Sequence, residues 1–136
     1  MIVFTLRELK RAWKQAESAF DESKNKTNAQ RLLLFYAVET GLKAVILKRE
    51  NQENSEGMFA DTLHDLNKML DKLRAGNDLR LPKYIPLVTK PPEQRKATCG
   101  ELNQVWRYGA KAQNPTDTEL EAKLSKINEW IKGELK

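Results

Sequence analysis

The chain has 136 residues and a formal net charge of +5, from 24 basic and 19 acidic side chains. That length fits one domain, residues 1–136, able to bury roughly two-thirds of its unfolded surface without staples. One cysteine, Cys99, and one histidine, His64, exclude an intrachain disulfide and a thiolate zinc centre. An all-carboxylate magnesium site stays open, and no cofactor is implied.

The mild basic charge permits RNA, DNA or acidic partners without demanding them. The opening MIVFTLRELK meets charge soon after Ile2, Val3 and Phe4, which argues against a signal peptide. The longest apolar stretch, residues 32–47, is broken by Glu39 and Lys43, which argues against a membrane span. A cytoplasmic location with no membrane partner is the expectation.

A Thr followed three positions later by an acid or amide opens a helix, because each side chain satisfies the other residue's free N–H. The pattern recurs at Thr5/Glu8, Thr27/Gln30, Thr62/Asp65, Thr98/Glu101 and Thr116/Glu119. The first apolar run is Leu6, Leu9, Trp13, Ala16 and Phe20, one narrow helical stripe. Arg7, Lys10, Arg11 and Lys14 form its other face. Residues 21–26 read as a loop.

The second run, roughly residues 28–49, is apolar around most of its circumference, through Leu32, Leu33, Leu34, Phe35, Tyr36, Val38, Leu42, Val45, Ile46 and Leu47. It predicts a central helix packed on several sides. Gly41 in its middle predicts the close approach of a neighbour, since Gly costs about 1 kcal/mol relative to Ala there. Residues 51–57 are a polar connector. A third helix is expected through Leu63, Leu66, Met69, Leu70 and Leu73, capped by Gly76.

Residues 79–92 hold Pro82, Pro86, Pro91 and Pro92 and predict a long ordered loop. A fourth helix is expected over residues 92–113, stopped by Asn114-Pro115. The last run is Leu120, Leu124, Ile127, Trp130 and Ile131. No strand pattern competes. The expected fold is all-α, an up-down bundle of four long helices plus one additional helix.

Glu39 and Lys43 stand at i,i+4 within the apolar helix and would pair there, either as a structural ion pair or as the floor of a polar pocket. His64 is expected in the first turn of the third helix, either as a neutral hydrogen-bonded ring or as an acid–base group. Arg107 and Tyr108 arrive beside the apolar seam of Leu102, Val105 and Trp106. A guanidinium there can stack, pair with Glu39 or reach phosphate oxygens through its planar fork. The cationic face of the first helix reads as a solvated surface rather than an RNA groove, because no aromatic residues interleave with it.

Three segments in order resemble the HEPN family of small helical domains: YAVETGLKAVILK (36–48), HDLNKMLDKL (64–73) and WRYG (106–109). The similarity spans about residues 28–113. It implies a four- to five-helix up-down bundle, often a homodimer. Many members are metal-independent ribonucleases of toxin–antitoxin and phage-defence systems; others are partners of nucleotidyltransferases or bind RNA or nucleotides. In the ribonucleases an Arg is followed after four to six residues by His, and the two act across the dimer interface on the 2′-OH and the scissile phosphate. Here Arg107 is followed by Tyr-Gly-Ala-Lys-Ala-Gln-Asn. Gln113 and Asn114 fall near the expected position, and neither is an acid or base at neutral pH.

The resemblance therefore implies a non-catalytic module that binds a nucleotide or RNA phosphate, or a larger partner protein, through Arg107, Tyr108, Lys43, Glu39 and His64, with no metal. Two alternatives stand beside it. One is a divergent metal-independent ribonuclease using Arg107 and His64 as catalytic residues. The other is a structural helical adaptor.

Overall fold

The computed structural model describes residues 2–136. Its elements in chain order are α1 (Leu6–Glu22), α2 (Asn28–Arg49), α3 (Leu66–Lys72), a hairpin of β1 (Tyr84–Leu87) and β2 (Arg95–Thr98), α4 (Leu102–Arg107) and α5 (Asp117–Glu134). The chain is mostly helical, and among the described residues no helix is long and apolar enough to cross a membrane.

The helix starts at α1, α2 and α5 are the predicted ones. Capping boxes join Thr5 to Glu8, Thr27 to Gln30 and Thr116 to Glu119. α2 is the centre of the core and packs against α1, α3, α4 and α5. Its Leu34, Phe35, Val38, Leu42 and Leu47 are almost wholly inaccessible. A Cβ on Gly41 would lie 2.9 Å from Ile131 Cγ2 and 3.0 Å from Trp13 Cδ1. Gly41 is thus the point where α1 and α5 close on α2. Buried indoles find acceptors nearby: Trp13 Nε1 donates to Asn128 Oδ1 at 2.8 Å and Trp106 Nε1 to Asp117 Oδ1 at 2.9 Å.

The expected bundle of four long helices plus one is not the architecture. Three helices are long, and α3 and α4 have only 7 and 6 residues. α3 starts late because Asp65, not Thr62, is its N-cap; the Asp65 side chain accepts from the Lys68 N–H at 3.1 Å. The Thr62 hydroxyl turns instead to the Phe59 carbonyl. Gly76 does not cap α3 either: the chain leaves the helix through Arg74, which takes the left-handed conformation at φ 52°.

The largest departure is at residues 84–98, where an antiparallel hairpin replaces loop and helix. Tyr84 pairs with Thr98, Ile85 with Ala97 and Leu87 with Arg95. Only Ile85 and Ala97 turn into the core, each between exposed neighbours. That period-two signal is one buried residue deep on each strand, too short to stand out against the helical pattern. Pro91 and Pro92 fall in the connection and not in a helix, consistent with their missing donors.

α4 therefore begins only after a capping box of Thr98 with Glu101 and a single 3₁₀ turn. It ends at Arg107, well before Asn114-Pro115, because Gly109 turns the chain at φ 77° and Ala110 N–H returns to the Val105 carbonyl at 2.9 Å. Residues 111–113 then run along the free edge of β1: the Val88 N–H reaches the Lys111 carbonyl and the Gln113 N–H the Pro86 carbonyl, both at 2.8 Å.

Candidate functional site

α2 is buried through its midsection except along one line. Leu33, Tyr36, Thr40 and Lys43 fall at i, i+3, i+7 and i+10 and are only half-buried. One helical face thus stays open where no neighbouring helix covers it. The predicted site residues gather along it.

Glu39 lies beside this line and is itself buried, at 5% exposure. A carboxylate withdrawn from water needs partners to stay charged. It has two on one oxygen: Lys43 Nζ is 3.2 Å and His64 Nδ1 2.9 Å from Oε2. The ionised carboxylate only accepts, so the hydrogen bond puts the imidazole proton on Nδ1 and leaves Nε2 as the unprotonated nitrogen of the neutral ring. The Lys43 ammonium also sits 5.3 Å from the centre of the Phe59 ring, within cation–π range.

His64 is not in the first turn of α3, as its sequence position suggests; it precedes the N-cap. It is brought to Glu39 by an unusual backbone. Leu63, a bulky residue, adopts φ 49°. The left-handed region is unfavourable for such a side chain and persists only where the surroundings enforce it. The turn is held by the Leu63 N–H to the Phe59 carbonyl at 3.0 Å and the Asp65 N–H to the Thr62 carbonyl at 2.9 Å. The same turn leaves Leu63 at 59% exposure.

Lys43, His64 and Thr40 line a cavity of about 310 Å³ whose other walls are Ile2, Phe4, Leu9, Ser55, Phe59 and Leu63. The segment ahead of α1 closes one side. The Phe4 N–H donates to Ser55 Oγ and the Ser55 N–H to the Phe4 carbonyl, both at 2.8 Å. The cavity is therefore mostly apolar, with a lysine and a histidine as its charged or chargeable groups.

Arg107 approaches the same face of α2 one turn earlier. Its guanidinium donates to the Tyr36 hydroxyl and lies 6.0 Å from the centre of the Tyr108 ring. Hydrogen bonds to Tyr36 and then Tyr108 raise its already high pKa, so it is a permanent cation. It does not pair with Glu39. Tyr108 is 76% exposed. Tyr36 and Glu39 are three positions apart, about 4.5 Å of helix rise. Arg107 and His64 are thus fastened to consecutive turns of one helix.

Glu39, Lys43 and His64 are therefore brought into contact, while Arg107, with Tyr108 beside it, is tied to Tyr36 one turn earlier on α2. Tyr36 itself was readable only as a core residue, because a phenol inside an apolar run looks like packing. Asn103, one turn before Arg107 on α4, is a further residue without a sequence signal. It is buried, and its Oδ1 has no hydrogen-bond partner among the described residues. Among the described residues no group of His, Cys, Asp and Glu is placed to hold a metal ion.

Compared with known proteins, the chain matches no family model, no curated protein and no solved structure.

Proposed function

We propose that this chain is a HEPN-like helical module that holds a nucleotide or RNA phosphate on the open face of α2. The observation that carries this reading is the state of Arg107. Its planar fork has a phenol as neighbour and no carboxylate among the described residues. Such a fork suits the bidentate geometry of phosphate. Lys43, although paired with Glu39, and the free Nε2 of His64 add polar groups along α2, and the exposed Tyr108 ring offers a face on which a base can stack. The ordered resemblance of residues 36–48, 64–73 and 106–109 supports the same reading, including a homodimer or a larger partner protein and a setting in toxin–antitoxin or phage defence. Exposed Ile2, Phe4 and Leu63 around the cavity supply an apolar surface for such docking.

A second reading is favoured by one contact, the bond from His64 Nδ1 to Glu39. A carboxylate that fixes the tautomer leaves Nε2 free as a base. In a metal-independent ribonuclease Nε2 would take the 2′-OH proton, the 2′-oxygen would attack phosphorus, and the P–O5′ bond would break. A 2′,3′-cyclic phosphate and a 5′-hydroxyl result, the leaving oxygen taking a proton, with Arg107 stabilising the charge on the phosphoryl oxygens.

One experiment tests both. Wild type, Arg107→Ala and His64→Ala are mixed with RNA in EDTA, and binding and cleavage are followed together. The binding module holds RNA intact and loses roughly 10- to 100-fold in affinity with Arg107→Ala. Cleavage by wild type that both variants lose would replace that reading with the ribonuclease. Binding indifferent to Arg107, with no cleavage, would sink both.

A further inference from the structure

The N-terminal half of α1 carries Arg7, Lys10, Arg11 and Lys14. At 100° per residue these four fall within one sector about 100° wide, beside the apolar stripe of Leu9, Trp13 and Phe20. Their spacing makes four like-charge neighbours: Arg7 with Lys10 and Arg11, and Lys14 with Lys10 and Arg11. Each such pair at i,i+3 or i,i+4 destabilises a helix.

The fold relieves that repulsion only in part, through the attraction of Glu8 to Arg11. None of the four cations is in an ion pair with a described residue, whereas other cations of the chain find acids, as Arg31 does with Glu121 at 3.1 Å and Arg49 with Glu134 at 2.9 Å. Apart from Glu8 in the first turn, the charge order along α1 is also unfavourable. Its other acids, Glu17, Asp21 and Glu22, crowd the C-terminal half, and no basic residue lies in its last turn. The helix dipole favours the opposite order. α5 follows the favourable order, with Asp117 and Glu119 in its first turn and Lys132 in its last. Lys26, from the loop beyond α1, compensates in part by donating to the Phe20 and Ser23 carbonyls at the helix end, and Lys132 of α5 by pairing with Glu17 at 3.4 Å.

A solvated face would be expected to mix signs and follow the dipole. This one does neither, and it spans about 10 Å from Arg7 to Lys14. We propose that the Arg7–Lys10–Arg11–Lys14 face of α1 docks the phosphodiester backbone of a nucleic acid. The recognition is of charge and not of sequence, because no aromatic side chain interleaves with the four cations to stack a base. The α1 face is a surface separate from Arg107 and does not depend on the α2 site.

The test uses poly-uridine and poly-deoxythymidine strands of equal length, titrated across a salt series. Three proteins are compared: wild type, a face variant (Arg7, Lys10, Arg11 and Lys14→Gln), and a scattered control (Lys24, Lys90, Lys111 and Lys126→Gln) with the same net charge. Wild type should bind both strands, with affinity falling steeply with salt. The face variant should lower the slope of log affinity against log salt by about 3 and the affinity at moderate salt by roughly 10²-fold, at about 0.7 per single-strand phosphate neutralised. The scattered control should lose far less. The face variant should also melt no lower than wild type, because it removes repulsion, which separates lost binding from lost fold. Equal loss in both variants, or no binding of either strand by wild type, would overturn the proposal. So would binding of polyglutamate but of neither strand, which would assign the face to an acidic protein.

Discussion

Glu39 and His64 meet at 2.9 Å although one is buried and the other stands largely in solvent. The buried carboxylate works as an anchor: it fixes the imidazole through Nδ1 and the ammonium of Lys43 through the same oxygen. Removing one member of a buried ionic group leaves the others uncompensated. Here both partners of the carboxylate retain some contact with water, which reduces the penalty.

Replacing Glu39 by Gln keeps the volume and removes the charge. The variant should lose about 1–2 kcal/mol of stability in urea titration, less than a fully buried pair would. Ring nitrogen spectra of His64 should change from one dominant neutral tautomer to a mixture. An unchanged spectrum would mean that Glu39 does not orient the ring.

Gly41→Ala tests the close approach at the centre of the fold. At an exposed helix position the change would stabilise by roughly 1 kcal/mol. Here the new methyl meets Ile131 and Trp13 at about van der Waals overlap, 2.9–3.0 Å. The variant should be destabilised by about 1–3 kcal/mol in thermal unfolding, and Ile131→Val in the same chain should recover part of the loss. A more stable Gly41→Ala protein would contradict the packing described here.

Gly41 also shows what was legible in the sequence. A glycine inside a long apolar run is a strong signal, because the propensity penalty must be offset by packing. The all-round burial of α2 and the paired caps of α1 and α5 were readable for similar reasons, as repeated local signals over many residues. α3 and α4 failed where a single residue decided the outcome: Asp65 outcompeted Thr62 as a cap, and Gly109 turned the chain before the apolar pattern ran out. The hairpin failed because only Ile85 and Ala97 face inward. In the site, Glu39 with Lys43 was readable from their i,i+4 spacing. The arrival of His64 was not, since it depends on a left-handed Leu63. Nor was the link of Arg107 to Tyr36, which joins residues 71 positions apart.

Two glutamates should shape the acid limb of stability. Glu8 is held below the usual carboxylate range first by the Thr5 backbone N–H and then by the Thr5 hydroxyl, and Glu101 likewise by Thr98. A pKa lower in the folded than in the unfolded state means that the unfolded chain binds protons first on acidification. The stabilisation is therefore present above the unfolded glutamate pKa and is lost as pH falls through the folded value. Carboxyl carbon titrations should place both groups below the other exposed glutamates. Thr5→Ala and Thr98→Ala should each return their partner part of the way toward the ordinary value. Midpoints indistinguishable from those of the remaining glutamates would contradict the caps.

Cys99 is 3% exposed, and burial pushes its thiol up to about 12, against a smaller opposing effect of hydrogen bonding at the Asn67 backbone. The thiolate is the reactive species. At about pH 8 the native protein should label with a thiol reagent only as fast as it opens, and the rate should rise with urea. Rapid labelling in native buffer would place Cys99 outside the core.

The central claim is that the open face of α2 receives phosphate. Its most direct test is amide and arginine side-chain NMR of the whole chain during titration with a short RNA in EDTA. The expected result is saturable shifts at the Arg107 guanidinium and at the amides of Tyr36, Thr40 and Lys43, abolished by Arg107→Ala. Shifts confined to Arg7, Lys10, Arg11 and Lys14, with the α2 face silent, would leave the α1 surface as the nucleic-acid contact and contradict the assignment of the site to Arg107.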